Sequence, residues 1–380
     1  METFATLTEI ADRSEASVGV TDLAPFPEEA ARIESRVAGG LHGGLSFTFA
    51  HPDTASQPAE SFPWAVSIVV VAVPYLIDGD GVTDRRTVAR FADGDRYEFL
   101  DAVLGEMADA LSLGGRRTEI VYDDNRLIDR AVAIRAGVAW SGKSTMALTP
   151  RFGPWILIGS VVTDAKLTPT EPMRRTCGTC DACIPACPTN AIVAPGVLDA
   201  RRCISAILQR RGVVDPALRN AIGGRIYGCD DCLTACPPGD KALSRFQPTN
   251  EDLRAETVLT LSDEELEHLV EHWYVPSRRM RFVRRNALVA LGNSGDTSSL
   301  GLLARYICDP DPLLRMHAGW AIGRIGGVEA ESLCVAALER ESDAEVQGEL
   351  LAAITASSQG GVYADERPAQ RSVELKEIAT

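Results

Sequence analysis

This sequence predicts an α+β chain made of an α/β layered domain, a cysteine-rich unit and a C-terminal array of helices, and three observations predict it. Strand-like apolar runs alternate with amphipathic helical ones over residues 1–170, eight of the ten cysteines crowd between positions 177 and 236, and a 31-residue pattern repeats in the last third. The 380 residues leave room for two or three domains, and 45% apolar with 24% charged residues is the balance of an ordinary globular protein. The longest apolar run, Ala65 to Ile77, is broken by Pro74 and is too short to cross a bilayer, so no membrane role is expected. With an acidic first segment and no leader, the chain is expected in the cytoplasm.

In the first domain, Val66–Val73, Thr118–Tyr122 and Trp155–Val162 read as strands, and Tyr97–Leu113 reads as a helix. Leu100, Val103, Leu104, Met107 and Leu111 recur there at spacings of three and four and form one buried stripe. The segment Val121-Tyr-Asp123-Asp124-Asn-Arg126-Leu-Ile-Asp129-Arg130 puts carboxylates between a strand and an amphipathic helix. Such residues act as a helix N-cap, whose side-chain oxygens satisfy free backbone N–H groups, or as a catalytic acid. The string Gly137-Val-Ala-Trp-Ser-Gly142-Lys143-Ser144 spells a P-loop, but a P-loop follows a strand and opens a helix. A helical run precedes this one and a short apolar stretch follows, so the spelling is set aside, while Lys143 remains able to meet a phosphate.

The unit over 171–245 is entered through Pro169 and Pro172 and left through Pro237-Pro238-Gly239. It holds Cys177-x-x-Cys180-x-x-Cys183-x-x-x-Cys187-Pro188, then Cys203, then Cys229-x-x-Cys232-x-x-x-Cys236-Pro237. Three thiolates at this spacing wrap one face of a cubane, and in ferredoxin-like units the cysteine before proline ligates the other cluster. Two [4Fe–4S] clusters are therefore expected, one on Cys177, Cys180, Cys183 and Cys236, the other on Cys187, Cys203, Cys229 and Cys232. Zinc and disulfides are the competing readings, but no histidine lies between 177 and 236, and disulfides need an oxidising compartment to which no signal peptide points.

Residues 246–356 are expected to be helical. Ala287-Leu-Val-Ala-Leu-Gly292 with Gly295 returns as Ala318-Gly-Trp-Ala-Ile-Gly323 with Gly326, and weakly as Leu350-Leu-Ala-Ala-Ile354. Stacked helix pairs of this kind form a HEAT-like solenoid, used as a binding surface or as a packing module. The stretch 278–285 carries five arginines in a chain of net charge −15. Arg278, Arg281, Arg284 and Arg285 can read an RNA backbone through their planar donor forks, or else pair with the acidic neighbours 263–271. Residues 357–380, with Gly360-Gly361 and Pro368, read as a flexible tail.

The stretch VYDDNRLIDRAVAIRAGVAWSGKSTM, the CxxCxxCxxxCPTNAI run, LDARRCISAILQRRG, RIYGCDDCLTACP and the HEAT-like pair together resemble the epoxyqueuosine reductase family over roughly residues 85 to 355. The resemblance implies a cobalamin cradled between the first domain and the cluster unit. It implies reduction of the epoxide of epoxyqueuosine at the tRNA wobble position to the alkene of queuosine, with loss of water. On this resemblance Asp123 is the proton donor, Asp124 the cap, and Arg90, Lys143, Ser205 and Gln209 are cofactor contacts. A monomer served by an external donor, a ferredoxin, flavodoxin or reductase, is expected, since no GxGxxG fingerprint is present. A corrinoid iron–sulfur reductase acting on a small molecule such as an organohalide is the alternative, as is a ferredoxin-type electron carrier without catalysis.

Overall fold

In the computed structural model, residues 2–82, 86–113, 115–248 and 252–359 are described. The tail expected over 357–380 lies outside them from residue 360 onward, while Ser357 and Ser358 end the last helix and Gln359 caps it.

Among the described residues eight strands form in chain order: β1 (Ser17–Thr21), β2 (Ser67–Pro74), β3 (Thr118–Val121), β4 (Trp140–Ser141), β5 (Ala147–Leu148), β6 (Ile156–Thr163), β7 (Ile192–Ala194) and β8 (Val197–Leu198). The main sheet runs β1-β2-β6-β3 with every pairing antiparallel, so the layered first domain is of the α+β kind. Helices Tyr97–Ser112 and Asp129–Arg135 both pack on this sheet. β2 is buried from Ser67 to Val73, which explains why its sequence is a continuous apolar run rather than an alternating one. The five stripe residues of helix Tyr97–Ser112 are all buried. Strand β1 was not legible in the sequence, being a short edge strand with two residues only half-buried.

The cysteine unit has no core of its own. Ile204, Ile207, Leu208, Leu218, Ile222 and Ile226 join the core of the helical array, whereas Leu233, Ala242 and Leu243 join the core of the sheet domain. The unit is therefore the joint between two cores, and the expected boundaries at 171 and 245 mark changes of composition rather than of packing.

Helices Arg281–Ser294, Pro312–Ile325 and Ala344–Ser358 carry the three copies of the repeat and stack each against the next. Gly292 permits the first contact, because a Cβ there would lie 2.7 Å from the Cα of Ala321. Gly292→Ala is expected to force these backbones apart at a cost of about 1–3 kcal/mol, read as a lowered thermal midpoint.

One edge of the array binds the cysteine unit through backbone groups. Asn286 Nδ2 donates to the carbonyls of Leu208 and Ile226, both at 2.9 Å, and Asn293 Nδ2 donates to those of Arg219 and Gly223 at 2.8 and 2.9 Å. The Val214 N–H donates to Nε2 of buried His317 at 3.2 Å, and Arg219 pairs with Glu349 at 3.0 Å. Burial, then the charge of Arg219, pushes the His317 imidazole well below its ordinary pKa, so it accepts that bond in the neutral form.

Candidate active site and cluster cages

The cysteine loops are shaped by tight local turns, with Cys180 N donating to Cys177 O at 3.0 Å and Cys187 N to Ile184 O at 3.2 Å. These turns bring Cys177, Cys180 and Cys183 around one pocket, which Cys236 closes from more than fifty residues away together with Lys143 and Pro237. The other four cysteines form a second group. Burial raises the Cys232 thiol, and the nearby Cys229, Cys203 and Cys187 raise it further; Cys229 is pushed up to about 12, chiefly by burial. Two interleaved sets of four thiols, with the cysteine before proline crossing to the other set, are the donor arrangement of a double iron–sulfur unit. The donor sets thus fit two iron–sulfur clusters.

Lys143 stands at the rim of the first cage, its Nζ donating to Gly178 O at 2.9 Å and its charge lowering the Cys183 thiol against the larger effect of burial. The hairpin of β4 and β5 carries it, so no helix follows the P-loop-like string. Gly137 belongs to that string for a packing reason: at φ +67 its absent Cβ leaves room for the carbonyl of Glu171, 2.1 Å from where a Cβ would sit.

The side chain of Arg90, expected as a cofactor contact, is turned into the protein. It is 2% exposed and fully engaged, with its N–H and Nη1 donating to Asp230 Oδ2, Nε to Asp80 O at 2.6 Å and Nη2 to Gly81 O at 2.9 Å. Since Asp230 lies between Cys229 and Cys232, Arg90 clamps the first domain onto the loop of the second cage. Ser205 and Gln209 do share one turn, following Cys203 along the helix Ile204–Leu208, and Gln209 Nε2 donates to Ser205 Oγ at 3.3 Å.

Asp123 is exposed at the end of β3 with φ +46, a left-handed conformation that a non-glycine residue holds at some cost. Tyr97, from the start of its helix, donates its hydroxyl to Asp123 Oδ2 at 2.5 Å. Burial, then Asp123 itself, raises the Tyr97 phenol, so Tyr97 acts there as a fixed donor. Asp124 is not the helix cap. Its Oδ1 accepts from Arg126 N at 2.8 Å and its Oδ2 pairs with Arg126 Nη2 at 2.6 Å, while the helix Asp129–Arg135 begins after Ile128 without a side-chain cap. Sequence reasoning missed Asp129, whose Oδ1 is buried without a protein partner.

The expectation that cobalamin is cradled beside Asp123 can be tested on orphaned polar atoms. Asn125 Oδ1, Trp140 Nε1 and the Nε and Nη2 of Arg202 are buried without protein partners. Each lies on a segment bearing an expected contact: the Asp123 loop, the Lys143 hairpin and the approach to Cys203 and Ser205. A large ligand with polar edges fits these residues.

Of the arginine row, Arg285 is not available to RNA. It is 1% exposed, and its fork donates to the carbonyls of Arg210 at 2.8 Å and Gly212 at 2.6 Å, with Ile207 and Leu208 at 3.4 Å. Arg278 pairs with Glu267 at 3.3 Å, Arg281 with Asp311 at 2.9 Å, and Arg284 with Asp263. The ion-pair reading therefore describes Arg278 and Arg284, while Arg281 finds its acid elsewhere.

Two four-cysteine cages joined to a helical array define the class: an iron–sulfur oxidoreductase with HEAT repeats. Residues 176–239 match the 4Fe-4S double cluster binding domain and residues 281–355 the HEAT repeats. The chain is 34% identical to the epoxyqueuosine reductase of Bacillus subtilis (strain 168) over 80% of this chain and 83% of that one. It is 31% identical to the Staphylococcus aureus enzyme over 88% and 91%. An epoxyqueuosine reductase solved with an epoxyqueuosine-modified tRNA-Tyr stem loop superposes with a TM-score of 0.83 at 30% identity, over 94% of this chain and all of that one. A Bacillus subtilis structure with its catalytic aspartate loop swung out of the active site gives a TM-score of 0.80 at 30% identity, over 93% and 99%. The chain belongs to the epoxyqueuosine reductase family.

Proposed function

We infer that this protein reduces epoxyqueuosine to queuosine in tRNA. The observation that carries the reading is the exposed, backbone-strained Asp123 held by Tyr97 in the domain that the two cysteine cages adjoin. Cys177, Cys180, Cys183 and Cys236 hold one [4Fe–4S] cluster, and Cys187, Cys203, Cys229 and Cys232 hold the other. A cobalamin is held by the Asp123 loop, the Lys143 hairpin, and Ser205 with Gln209. When bound, these groups supply low-potential single electrons and a carbon-directed reductant.

The chain's own residues supply the rest. Asp123 gives a proton to the oxygen released when the strained ring opens, and the Tyr97 hydroxyl aims its carboxyl at that oxygen. Arg278, Arg281 and Arg284 exchange their carboxylate partners for phosphates of the RNA, a swap that favours the denser charge of a nucleic-acid backbone. Among the described residues no helix is long and apolar enough to cross a membrane, and a cytoplasmic monomer fed by an external ferredoxin, flavodoxin or reductase completes the reading.

The test is anaerobic turnover of epoxyqueuosine-containing tRNA by cluster-reconstituted protein, with and without added cobalamin. Cobalamin-dependent formation of queuosine is expected. Asp123→Asn should keep both clusters and lose about 10²–10⁴-fold in turnover, and full activity of that variant removes Asp123 as donor.

A further inference from the structure

The ring of Tyr274 is 65% exposed and adds little to the core, yet the backbone that carries it is held on both sides. Tyr227 Oη accepts from Tyr274 N at 3.0 Å and donates to Tyr274 O at 3.2 Å. The Tyr227 ring stacks on that of Trp273, with centres 4.3 Å apart and planes at 18°, and Trp273 Nε1 donates to Ala92 O at 2.7 Å. The Ala89 N–H donates to Tyr227 O at 2.8 Å, so this mount is joined to the segment that leads into the helix of Tyr97. A solvated side chain gains nothing from such a mount. A ring on which a ligand lies does gain, because little freedom is lost on binding.

The turn that follows is strained and basic. Ser277 and Arg278 both hold left-handed backbone, at φ +52 and +51, which residues other than glycine keep only where their surroundings over-determine it. Arg278 braces the loop beneath Tyr274, donating to Trp273 O at 3.0 Å and to Glu267 O at 3.1 Å. Ser277 Oγ accepts from Arg211 Nη2 at 2.6 Å, which ties the turn to the cysteine unit. Arg211, two residues beyond Gln209, and Arg279, two beyond Ser277, are both exposed. The seam between the cysteine unit and the helical array thus presents a fixed aromatic ring with guanidinium groups around it. Unpaired nucleotides are held by this combination, the base on the ring and the phosphates on the cations.

We propose that Tyr274 is a stacking platform for an unpaired loop base of the tRNA, with Arg211 and Arg279 on the phosphates beside that base. This inference rests on the reading that the protein acts on tRNA. Bases inside a duplex stem are already stacked on each other, so the platform selects a loop over a stem. Holding one loop base in this way fixes the register in which the loop is presented to the rest of the site.

The test measures binding of a tRNA anticodon stem–loop to the full, cluster-loaded chain and to its Tyr274→Ala and Tyr274→Phe variants. Tyr274→Ala should bind about 10–100-fold more weakly, with an unchanged thermal midpoint because the ring is exposed, whereas Tyr274→Phe should stay within about twofold of the parent. The dependence of affinity on salt separates the two kinds of contact. Its slope should be unchanged in Tyr274→Ala and shallower by about one in Arg279→Ala and in Arg211→Ala. Stem–loops carrying 2-aminopurine at each loop position in turn should show one position that is quenched by the parent and by Tyr274→Phe but not by Tyr274→Ala. Unchanged affinity in Tyr274→Ala, a Tyr274→Phe protein as weak as Tyr274→Ala, or quenching that survives in Tyr274→Ala overturns the proposal. A parent protein that does not bind the stem–loop at all overturns the tRNA reading instead, so the two failures are distinct.

Discussion

Cys236→Ser is expected to empty the cage shared with Cys177, Cys180 and Cys183 while the other cluster remains, and Cys187→Ser is expected to do the opposite. Iron and acid-labile sulfide should each fall to about half, and the surviving cluster should keep its own electron paramagnetic resonance signal in each variant. The pattern is diagnostic because chain proximity argues for the reverse grouping: Cys187 is four residues from Cys183, and Cys236 is more than fifty away. The pocket lined by Cys177, Cys180, Cys183 and Cys236 leaves Cys187 outside, close instead to Cys232 and Cys203. Loss of the first-cage signal from Cys187→Ser would reverse the assignment. Either variant should abolish turnover, since each cluster is one step of a single-electron relay.

Arg285→Ala should lower the stability of the chain by about 3–5 kcal/mol, seen as a reduced denaturation midpoint, because it removes a buried guanidinium fork that holds the carbonyls of Ile207, Leu208, Arg210 and Gly212 to the helical array. Lysine should not rescue it, since a single ammonium cannot span the four carbonyls reached by one planar fork. Arg278→Ala and Arg284→Ala remove ion pairs with exposed acids and bonds to nearby carbonyls, to Trp273 O at 3.0 Å and to Leu261 O at 2.8 Å, and should each cost about 1–2 kcal/mol, less than Arg285→Ala. Their effect should appear in RNA binding, as weaker affinity and a shallower dependence on salt. A stable Arg285→Ala protein with impaired RNA binding would return Arg285 to the RNA surface.

These two cases show what kind of information the sequence held. The cysteine grouping was legible because ligand spacing is a property of a short stretch of chain, and a cubane accepts few spacings. The helix Tyr97–Ser112 and the 31-residue repeat were legible because burial of one face imposes a period on the residues that supply it. The fate of Arg90, Arg285 and Asp124 was not legible. A guanidinium in a sequence looks the same whether its partner is a phosphate or a carbonyl elsewhere in the chain, and the Asp80, Gly81, Arg210 and Gly212 carbonyls leave no mark on the sequence. Asp124 was read as a cap from its place before a helix, but Arg126 two residues on captures it in a local turn.

The sequence by itself determined the class of chemistry: eight cysteines in two interleaved sets, an aspartate between strand and helix, and a helical repeat. Tertiary structure decided which polar groups remain free to act. It buried Arg90 and Arg285 as clamps and left Asp123 exposed under the Tyr97 hydroxyl. The physical reason is that ligation and periodic burial are written in local spacing, whereas the charge state and availability of a side chain depend on desolvation and on partners that distant segments bring to it.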